Sequence, residues 1–369
     1  MSTPDASRLL DDLDPEQRAV AEALHGPVVV VAGAGTGKTR AITRRIAYGV
    51  AIGAYDAAGV LALTFTTRAA TEMRRRLGAL GVPGVTTRTF HAAALAQVRY
   101  FWPRLYGRSF PDLHADPAGL LAGLMTASGV AASARDVATE IAWAKVSNVP
   151  AHRYVERAAQ AQRRVPSASA RDVARTYTSY VDALERADQV DMEDVLLAAV
   201  GLLRTQPAAA RVVRQRYRWL TVDECQDVSP LQMALVQCWL GDRDDLCVVG
   251  DPRQSIYAFA GARADLLTGL TSQYPRASRI DLTRNYRSTP QVLAVAEAVL
   301  ATGSASRESL PEVRATRPDG PRVRIIEVED QRGEAAEVQR LVSTFLEQGL
   351  PEHGVAVLTR TQAHAAVLA

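Results

Sequence analysis

Apolar runs and helical patterns alternate along the amino-terminal part of the chain. Apolar runs typical of buried strands occupy residues 28–31 and 60–65, and a third strand is predicted over 85–90. Helices are predicted at 15–25, before the first run, at 39–46 and 67–80 between the strands, and from His91 onward. Strands that alternate with helices in this way predict a parallel sheet with helices on its faces.

The pattern changes after residue 104. The strand signal disappears, and Ala- and Arg-rich helical segments are predicted at residues 133–146, 151–164 and 168–187. We expect this region to be a helical insertion. Strands return after it, at residues 219–222, 246–249 and 279–282.

A second α/β unit is predicted to begin near the carboxyl end. Residues 303–321 are rich in Ser, Gly, Pro and Arg, which is typical of an extended connection. A predicted strand, helix and strand follow at 323–326, 333–348 and 355–358. These elements are too few for a closed sheet, so we expect this second unit to be incomplete.

Composition narrows the class of protein. A chain of 369 residues with 47% hydrophobic content predicts more than one domain with real cores. The net charge of +3 permits nucleic-acid binding without arguing for it. Three cysteines without a CxxC motif argue against a disulfide framework and a zinc site. No apolar stretch is as long as a membrane span, and the acidic amino terminus is unlike a secretory signal, so a cytoplasmic location is expected.

The most specific local motif surrounds one of only two lysines among the 43 basic residues, Lys38. It follows the first strand and reads Ala32-Gly33-Ala34-Gly35-Thr36-Gly37-Lys38-Thr39, with a helix predicted next. Strand, glycine-rich turn and helix start form the context of a P-loop, although Ala32 replaces the usual first glycine. Backbone N–H groups would hold phosphates, Lys38 would reach the β- and γ-phosphates, and the Thr39 hydroxyl would bind Mg²⁺. The alternative is an ordinary glycine-rich turn.

Two carboxylates follow the strand predicted at 219–222. Asp223 would bind Mg²⁺, and Glu224 would orient and deprotonate the attacking water of a nucleotide hydrolase. Alone, this pair could equally be a solvated acidic turn. A P-loop upstream favours the catalytic interpretation.

Two further polar blocks follow buried strands. In the first, Gln254 could sense the γ-phosphate, while Tyr257 and Phe259 offer faces for base stacking. The default for such an aromatic pair is the protein core. In the second block, Arg287 could reach the γ-phosphate across a cleft and Tyr286 could stack on adenine.

These blocks, in this order and at these spacings, resemble the motifs of superfamily 1 DNA helicases of the UvrD/PcrA/Rep type. Residues 13–20 are similar to the adenine-reading Q motif, and 63–73 to motif Ia. Thr89-Phe90-His91 resembles the next DNA-contacting motif. Residues 223–227, 250–262 and 284–288 resemble motifs II, III and IV.

The resemblance implies an α/β fold of the RecA-like P-loop NTPase type, whose parallel sheet carries a helical insertion. The ATP-binding lobe would comprise residues 1–104 and 191–284, the insertion 105–190, and the incomplete start of a second RecA-like lobe 285–369. The implied activity is an ATP-dependent 3′→5′ helicase or translocase of the DNA-repair type.

The resemblance also implies partners and site residues. ATP and Mg²⁺ would be the cofactors. The partners would be single-stranded DNA, duplex junctions and other DNA-repair proteins, in a bacterial cytoplasm at the nucleoid and away from membranes. Catalysis is assigned to Lys38, Glu224, Gln254 and, as an arginine finger from the second lobe, Arg287; Mg²⁺ to Thr39 and Asp223. The nucleotide contacts are Gln17, Ala32, Gly33, Ala34, Gly35, Thr36, Gly37, Lys38, Thr39, Arg40, Tyr286 and Arg287. The DNA track is assigned to Phe65, Thr66, His91, Tyr257 and Phe259.

Some features leave alternatives open. The family usually has Arg where this chain has Ala260, and its last two motifs are expected beyond residue 369. The chain could therefore be a truncated ATP- and DNA-binding module without motor activity, or the motor subunit of a helicase–nuclease complex. Lys145 lies in a segment that resembles part of the family's insertion, but an exposed helix lysine is an equal reading. The arginines at 74–76 and 211–218 are read as solvated helix faces.

Overall fold

The computed structural model describes residues 6–302 and 311–368. The chain divides into two compact units, Met1–Asp319 and Gly320–Ala369. The first unit thus includes the described residues between 285 and 319, and the lobe boundary at residue 284 stays a prediction. Hydrogen bonds from residues 283–286 to the P-loop and its neighbouring helix hold this stretch in the first unit.

The strands in the described part of the chain are β1 (Val28–Ala32), β2 (Val60–Thr64), β3 (Thr86–Thr89), β4 (Asp112–Leu113), β5 (Gln189–Val190), β6 (Trp219–Val222), β7 (Leu246–Gly250), β8 (Ser278–Leu282), β9 (Arg284–Asn285) and β10 (Arg314–Ala315).

The helices of the first unit are α1 (Pro15–Glu22), α2 (Lys38–Ala51), α3 (Thr67–Ala79), α4 (Phe90–Tyr106), α5 (Pro117–Ser128), α6 (Ala134–Val146), α7 (Tyr154–Gln160), α8 (Ala170–Arg186), α9 (Met192–Thr205), α10 (Pro207–Arg216), α11 (Pro230–Leu240), α12 (Asp265–Gln273) and α13 (Pro290–Ala301).

Six strands form the central sheet in the order β3-β2-β6-β7-β1-β8. Every pairing in it is parallel, and β1 lies between β7 and β8, with Val30 opposite Val249 on one side and Ile280 on the other. All six strands therefore end at the same edge, where ligands of open parallel sheets bind. The predicted parallel α/β fold is confirmed.

The sheet separates two hydrophobic cores because successive side chains of a strand point to opposite faces. Val28 and Val30 pack with residues of α2 and α3 on one face. Val29 and Val31 belong to the core of α4, α9 and α11 on the other face. Burial on both faces explains why β1 is a continuous valine run rather than an alternating pattern.

The region between α4 and α9 is helical, as the sequence predicts. It contains α5, which the sequence reading did not identify, together with α6, α7 and α8. These four helices share their own core, which includes Leu121, Ile141 and Tyr177. A two-stranded pairing of β4 with β5 joins the two ends of the region.

The second unit contains α14 (Gln331–Glu347) and α15 (Gln362–Leu368) in its described residues. The imidazole Nε2 of His364 lies 2.8 Å from Glu334 Oε2, between these two helices. The helix predicted at 333–348 corresponds to α14. The strands predicted at 323–326 and 355–358 are wrong: no strand is assigned in the described part of this unit, and Ile325 and Leu358 are 85% and 94% exposed. Apolar runs become strands only when another strand pairs with them. Of the predicted connection 303–321, residues 303–310 lie outside the described residues.

Among the described helices, none is by itself long and apolar enough to cross a membrane. Helices α9 and α10 meet the length and composition criteria only as a pair, with a bend of 106° between them.

Lys145 connects the helical region to the sheet-bearing part of the first unit. It lies on α6, is 2% exposed, and its ammonium lies 2.6 Å from Asp191 Oδ2 and 2.7 Å from Asp194 Oδ1 at the start of α9. The Tyr180 hydroxyl of α8 donates to the same Asp191 oxygen at 3.1 Å. The alternative that Lys145 is an exposed helix lysine is therefore wrong.

Replacing Lys145 with Ala should destabilise the protein by about 3–5 kcal/mol, because it leaves the buried carboxylate of Asp191 and the half-buried one of Asp194 without their cation. Urea unfolding of the full chain, followed by tryptophan fluorescence, measures this loss. The control is Arg135→Ala, an exposed position on the same helix, which should change stability by less than about 0.5 kcal/mol. Equal effects of the two substitutions would contradict the role given to Lys145.

Candidate ATP and DNA site

The glycine-rich loop between β1 and α2 follows the P-loop pattern. Gly35 and Gly37 adopt left-handed backbone angles, with φ of 75° and 84°, and Gly37 is the N-cap of α2. The Thr36 hydroxyl donates to the Gly33 carbonyl at 2.8 Å and closes the turn. The loop thus leads from the end of a buried strand into a helix N-terminus, where backbone N–H groups and the helix dipole favour an anion.

Two amide side chains from different segments hold the loop. Gln17 Nε2 of α1 donates to the Thr36 carbonyl at 3.0 Å, and Asn285 Nδ2 of β9 donates to the Ala34 carbonyl at 2.6 Å. The approach is close: a Cβ at Gly37 would lie 2.5 Å from Gln17 Nε2, and one at Gly35 would lie 2.6 Å from the Cβ of Arg287. Glycine is therefore required at both positions for space as well as for backbone angle.

The segment that carries Arg287 is tied to α1. Glu16 accepts a hydrogen bond from the Thr283 backbone N–H at 2.6 Å and a second one from its hydroxyl. Asp14, which caps α1, accepts one from the Tyr286 hydroxyl. Burial first, then this bond to Asp14, raises the pKa of Tyr286 to about 12. Gln17 and Tyr286, the two predicted adenine contacts, thus belong to one hydrogen-bonded assembly. The Arg287 side chain forms no ion pair with the described residues.

Lys38 faces the carboxylate predicted to act as general base. Lys38 Nζ lies 3.2 Å from Glu224 Oε2. Glu224 has a left-handed backbone with φ of 51°, which is unfavourable for a residue with a side chain and often occurs at functional sites. Gln226 Nε2 also donates to Glu224 Oε2, at 2.9 Å, so this oxygen is oriented by two donors.

Asp223 is buried beside Glu224 at the end of β6. Burial, then the charge of Glu224, raises the pKa of Asp223 to about 7, although the charge of Lys38 acts against the rise. Its carboxylate accepts a hydrogen bond from the Glu224 backbone N–H at 3.0 Å. A buried carboxylate of raised pKa suits a hard divalent cation, because oxygen ligands and added positive charge would both favour its ionised form. Asp223 and the Thr39 hydroxyl at the start of α2 are chemically compatible with Mg²⁺.

Gln226 links the ends of two neighbouring strands. Besides its bond to Glu224, its Oε1 accepts a hydrogen bond from the Asp251 backbone N–H at 3.0 Å, just after β7. Asp251 Oδ2 in turn accepts one from Gln254 Nε2 at 2.6 Å. Gln254 therefore contacts Asp251 here, and its predicted role at the γ-phosphate stays a prediction.

Three of the predicted DNA contacts form an aromatic cluster. The rings of Phe65 and Tyr257 lie 4.6 Å apart between centroids, and those of Tyr257 and Phe259 lie 6.2 Å apart. Phe259 is 59% exposed, so the expectation that this pair is core does not hold for it. Thr66 caps α3 by accepting a hydrogen bond from the Ala69 N–H at 3.1 Å.

Two predicted site residues have different surroundings. His91 is at the start of α4, and its Nε2 is buried without a hydrogen-bond partner among the described residues. Burial lowers the pKa of His91, and the charge of Asp191 partly opposes this. Arg40 is exposed on α2 and donates to the Asp12 carbonyl. Its predicted contact with nucleotide stays a prediction.

The helical region contacts the aromatic cluster beside Ala260, where the family usually has Arg. Arg163 Nη2 donates to the Phe259 carbonyl at 2.9 Å. The same guanidinium pairs with Glu140 at 2.6 Å and lies over the Trp143 ring, 4.5 Å from its centroid. A guanidinium from another part of the chain therefore lies next to position 260.

Sequence reasoning missed three residues of this site, Gln226, Asp251 and Asn285. All three lie inside the motifs quoted from the sequence, and Asp251 directly follows the buried strand β7. Each acts through a bond to a segment distant in sequence, so no local pattern assigns the role.

The sequence profile of the UvrD/REP helicase N-terminal domain matches residues 13–275, and that of the UvrD-like helicase C-terminal domain matches residues 280–369. The chain is 42% identical to the ATP-dependent DNA helicase UvrD2 of Mycobacterium tuberculosis over 375 aligned residues, 97% of this chain and 53% of that protein. Identity to the ATP-dependent DNA helicase UvrD1 of the same species is 35% over 318 residues, 82% of this chain and 41% of that protein. Identity to the ATP-dependent DNA helicase PcrA of Staphylococcus aureus is 29% over 366 residues, 98% of this chain and 49% of that protein. The chain spans about half the length of these curated relatives.

The raised pKa of Asp223 predicts a pH-dependent stability. A carboxyl group whose pKa is higher in the folded state destabilises the fold as pH rises from about 4 to about 7, and the full penalty remains above that range. Without Mg²⁺ and nucleotide, Asp223→Asn should therefore stabilise the protein by about 2–4 kcal/mol near pH 8, and by half of that or less near pH 5. Urea unfolding at the two pH values measures the difference.

The matched control is Asp136→Asn, at an exposed position of α6. Its effect on stability should stay below about 0.5 kcal/mol at both pH values. A gain at position 223 that does not depend on pH would contradict the assignment to a buried carboxylate.

Proposed function

The chain belongs to the UvrD/Rep family of helicases, and on that basis we propose that it is the ATP-binding part of a motor that hydrolyses ATP to move along single-stranded DNA. The observation that carries this proposal is the junction of two sites at one sheet edge. The ion pair of Lys38 with Glu224, which would hold phosphate and water, lies there, and a hydrogen-bond chain through Gln226 and Asp251 leads from it towards the aromatic cluster.

The nucleotide would bind with its phosphates on the loop from Gly33 to Thr39. Backbone N–H groups at the start of α2 and the ammonium of Lys38 would bind the phosphate oxygens. Gln17 and Tyr286 would contact adenine, since the bonds through α1 bring both to one side of the loop. Thr39 and Asp223 would hold Mg²⁺, which when bound neutralises charge on the phosphates.

Hydrolysis would depend on a change of partner at Lys38. Lys38 pairs with Glu224 in the structure. A γ-phosphate would draw the ammonium away, leaving the Glu224 carboxylate oriented by Gln226 and able to accept a proton from the attacking water. Arg287, whose Cβ lies against Gly35, would stabilise charge that develops on the transferred phosphoryl group.

DNA would bind across Phe65, Tyr257 and Phe259, with Thr66 and His91 beside the track. Stacking on aromatic faces tolerates every base, so no sequence preference is expected. Gln226 is the proposed link between hydrolysis and this track. It donates to Glu224 and accepts from Asp251, which precedes the segment that carries Tyr257 and Phe259.

We extend the proposal to the whole protein on the strength of the family. The motor would move 3′→5′, separate strands at duplex junctions and work with other DNA-repair proteins in the bacterial cytoplasm, at the nucleoid. The predicted division into an ATP-binding lobe, a helical insertion and a second lobe beginning at residue 285 is part of this proposal.

The experiment that tests the function is an ATPase assay on the full chain with and without single-stranded DNA. DNA should raise turnover several-fold. Lys38→Ala should abolish both hydrolysis and tight ATP binding, whereas Arg287→Ala should lower turnover by about 10³-fold and largely retain binding. The control is Arg175→Ala, at an exposed position of α8. ATP turnover that single-stranded DNA does not change would contradict the motor proposal. ATP binding without turnover would favour the binding-module alternative.

The DNA track is tested by a pair of neighbouring exposed side chains. Phe259→Ala should weaken single-stranded DNA binding about tenfold, because one stacking contact contributes about 1–3 kcal/mol. Ile256→Ala should change it less than about twofold, since Ile256 is 70% exposed but offers no ring for stacking. Fluorescence anisotropy with labelled oligonucleotides measures both. Equal losses would show that exposed apolar area, not stacking, binds the DNA.

A further inference from the structure

A second cavity lies at the edge of the sheet opposite the P-loop. Its volume is about 810 Å³, and α9, α10 and the end of α11 enclose it together with the residues that precede β6 and β7. The nucleotide site follows the carboxyl ends of the strands, whereas this cavity lies at their amino ends. Five arginines line it: Arg204, Arg211, Arg214, Arg218 and Arg243.

Two of these arginines are held in fixed positions by backbone groups. The guanidinium of Arg243 donates to four carbonyl oxygens, those of Leu240, Arg218, Tyr217 and Trp239, at 2.8–3.1 Å. Arg214 Nε donates to the Cys238 carbonyl at 2.9 Å. The carbonyl bonds use four of the five N–H donors of Arg243, so this residue contributes mainly positive charge. Arg214 is held through Nε, which leaves its Nη groups for an anion at little cost in conformational freedom.

Gly241 makes room for Arg214. It has a φ of 63°, and a Cβ at this position would lie 2.8 Å from Arg214 Nε and 2.9 Å from Arg214 Cζ. Both the left-handed backbone and the close approach require glycine. The loop before β7 is thus shaped around a charged side chain that lines the cavity.

The five arginines form no close ion pair within the described part of the chain. None of them lies within 4.0 Å of a carboxylate among the described residues, and Asp242 is the one acidic residue in the described lining. Burial lowers the pKa of Arg243; the charge of Asp245 opposes this, and the charges of Arg218 and Arg214 add to it. An anion in the cavity would relieve this repulsion.

We propose that this cavity binds a ligand carrying several phosphate groups, either a free polyphosphate or adjacent phosphates of a nucleic-acid backbone. The number of charges favours phosphate over an acidic peptide. Five arginines line a cavity of about 810 Å³, and linked phosphates place several negative charges within such a volume. A peptide would need about as many carboxylates packed into the same space, each on its own side chain. Guanidinium also matches phosphate oxygens in bidentate geometry.

The arginines at 211–218, which the sequence predicts to form a solvated helix face, differ in their relation to the cavity. Arg211, Arg214 and the following Arg218 line the cavity, whereas Arg216 lies outside the lining. Arg216 is exposed, as are Arg211 and Arg218, so it provides a control of similar exposure at the end of α10. Arg211 and Arg218 are also the safer pair to replace, since their side chains make none of the carbonyl bonds that fix Arg214 and Arg243.

The test is a titration of the full chain with inorganic tripolyphosphate, followed by isothermal calorimetry without Mg²⁺. Every protein carries Lys38→Ala, so that phosphate binding at the P-loop is weakened equally in all arms. The double substitution Arg211→Gln with Arg218→Gln should weaken binding at least about tenfold, and Arg216→Gln less than about twofold. Melting temperatures confirm that all variants fold.

Short duplex DNA and polyglutamate form the other two arms. A loss confined to tripolyphosphate supports the proposal with a free polyphosphate as ligand, and a matching loss with duplex DNA supports it with backbone phosphates. Equal affinity of the double variant and Arg216→Gln for both phosphate probes would overturn it. Binding of polyglutamate alone through Arg211 and Arg218 would also overturn it, in favour of an acidic peptide. These measurements do not depend on ATP hydrolysis, so they test the cavity independently of the motor proposal.

Discussion

The contact between the P-loop backbone and its two neighbours constrains the rest of the site. Gly35 is crowded by Arg287 and Gly37 by Gln17, so neither position can accept a larger residue. Three consecutive loop carbonyls, from Ala34 to Thr36, accept hydrogen bonds from outside the loop. Hydrogen-bond donors therefore satisfy these oxygens. Their lone pairs would otherwise repel an anion bound to the loop.

The two lysines of the chain show the same chemistry with different outcomes. Lys145 is enclosed, and two carboxylates and a tyrosine ring surround its ammonium. Lys38 has one carboxylate partner, Glu224, whose side chain is 39% exposed. A buried pair with complete partners stabilises a junction between helices, whereas a pair that is open on one side can exchange its partner for a ligand. Arginine cannot replace either ammonium in so compact a setting.

Much of the first unit could be predicted from the sequence because its signals are local. The valine run of β1, the glycines of the loop and the acidic end of β6 each define an element within a few residues. The apolar runs at 323–326 and 355–358 carry similar local signals, yet without strand partners in the described residues they remain irregular. Pairing is decided by the rest of the fold and not by the run itself.

The residues of the functional site likewise fall into those with a local sequence signal and those whose role depends on distant segments. Lys38, Glu224 and the aromatic residues stand in motifs whose residue types already indicate their chemistry. The supporting bonds of Gln226, Asn285 and Glu16 join segments that are distant in the sequence, for example Glu16 with Thr283. The burial of Lys145 and the convergence of five arginines likewise follow from how helices pack, which no single stretch of sequence records.

The bridge made by Gln226 has a consequence for how this protein can change. A Cβ on Gly250 would lie only 2.5 Å from the Oε1 of Gln226. The amide can therefore join the two strand ends only while position 250 is glycine. A side chain at 250 would displace the amide, and a shorter residue at 226 would leave a gap beside the glycine. The dependence runs in one direction. The bridge of Gln226 needs glycine at 250, whereas glycine at 250 is also required by Leu267, whose Cδ2 would lie 2.9 Å from the added Cβ.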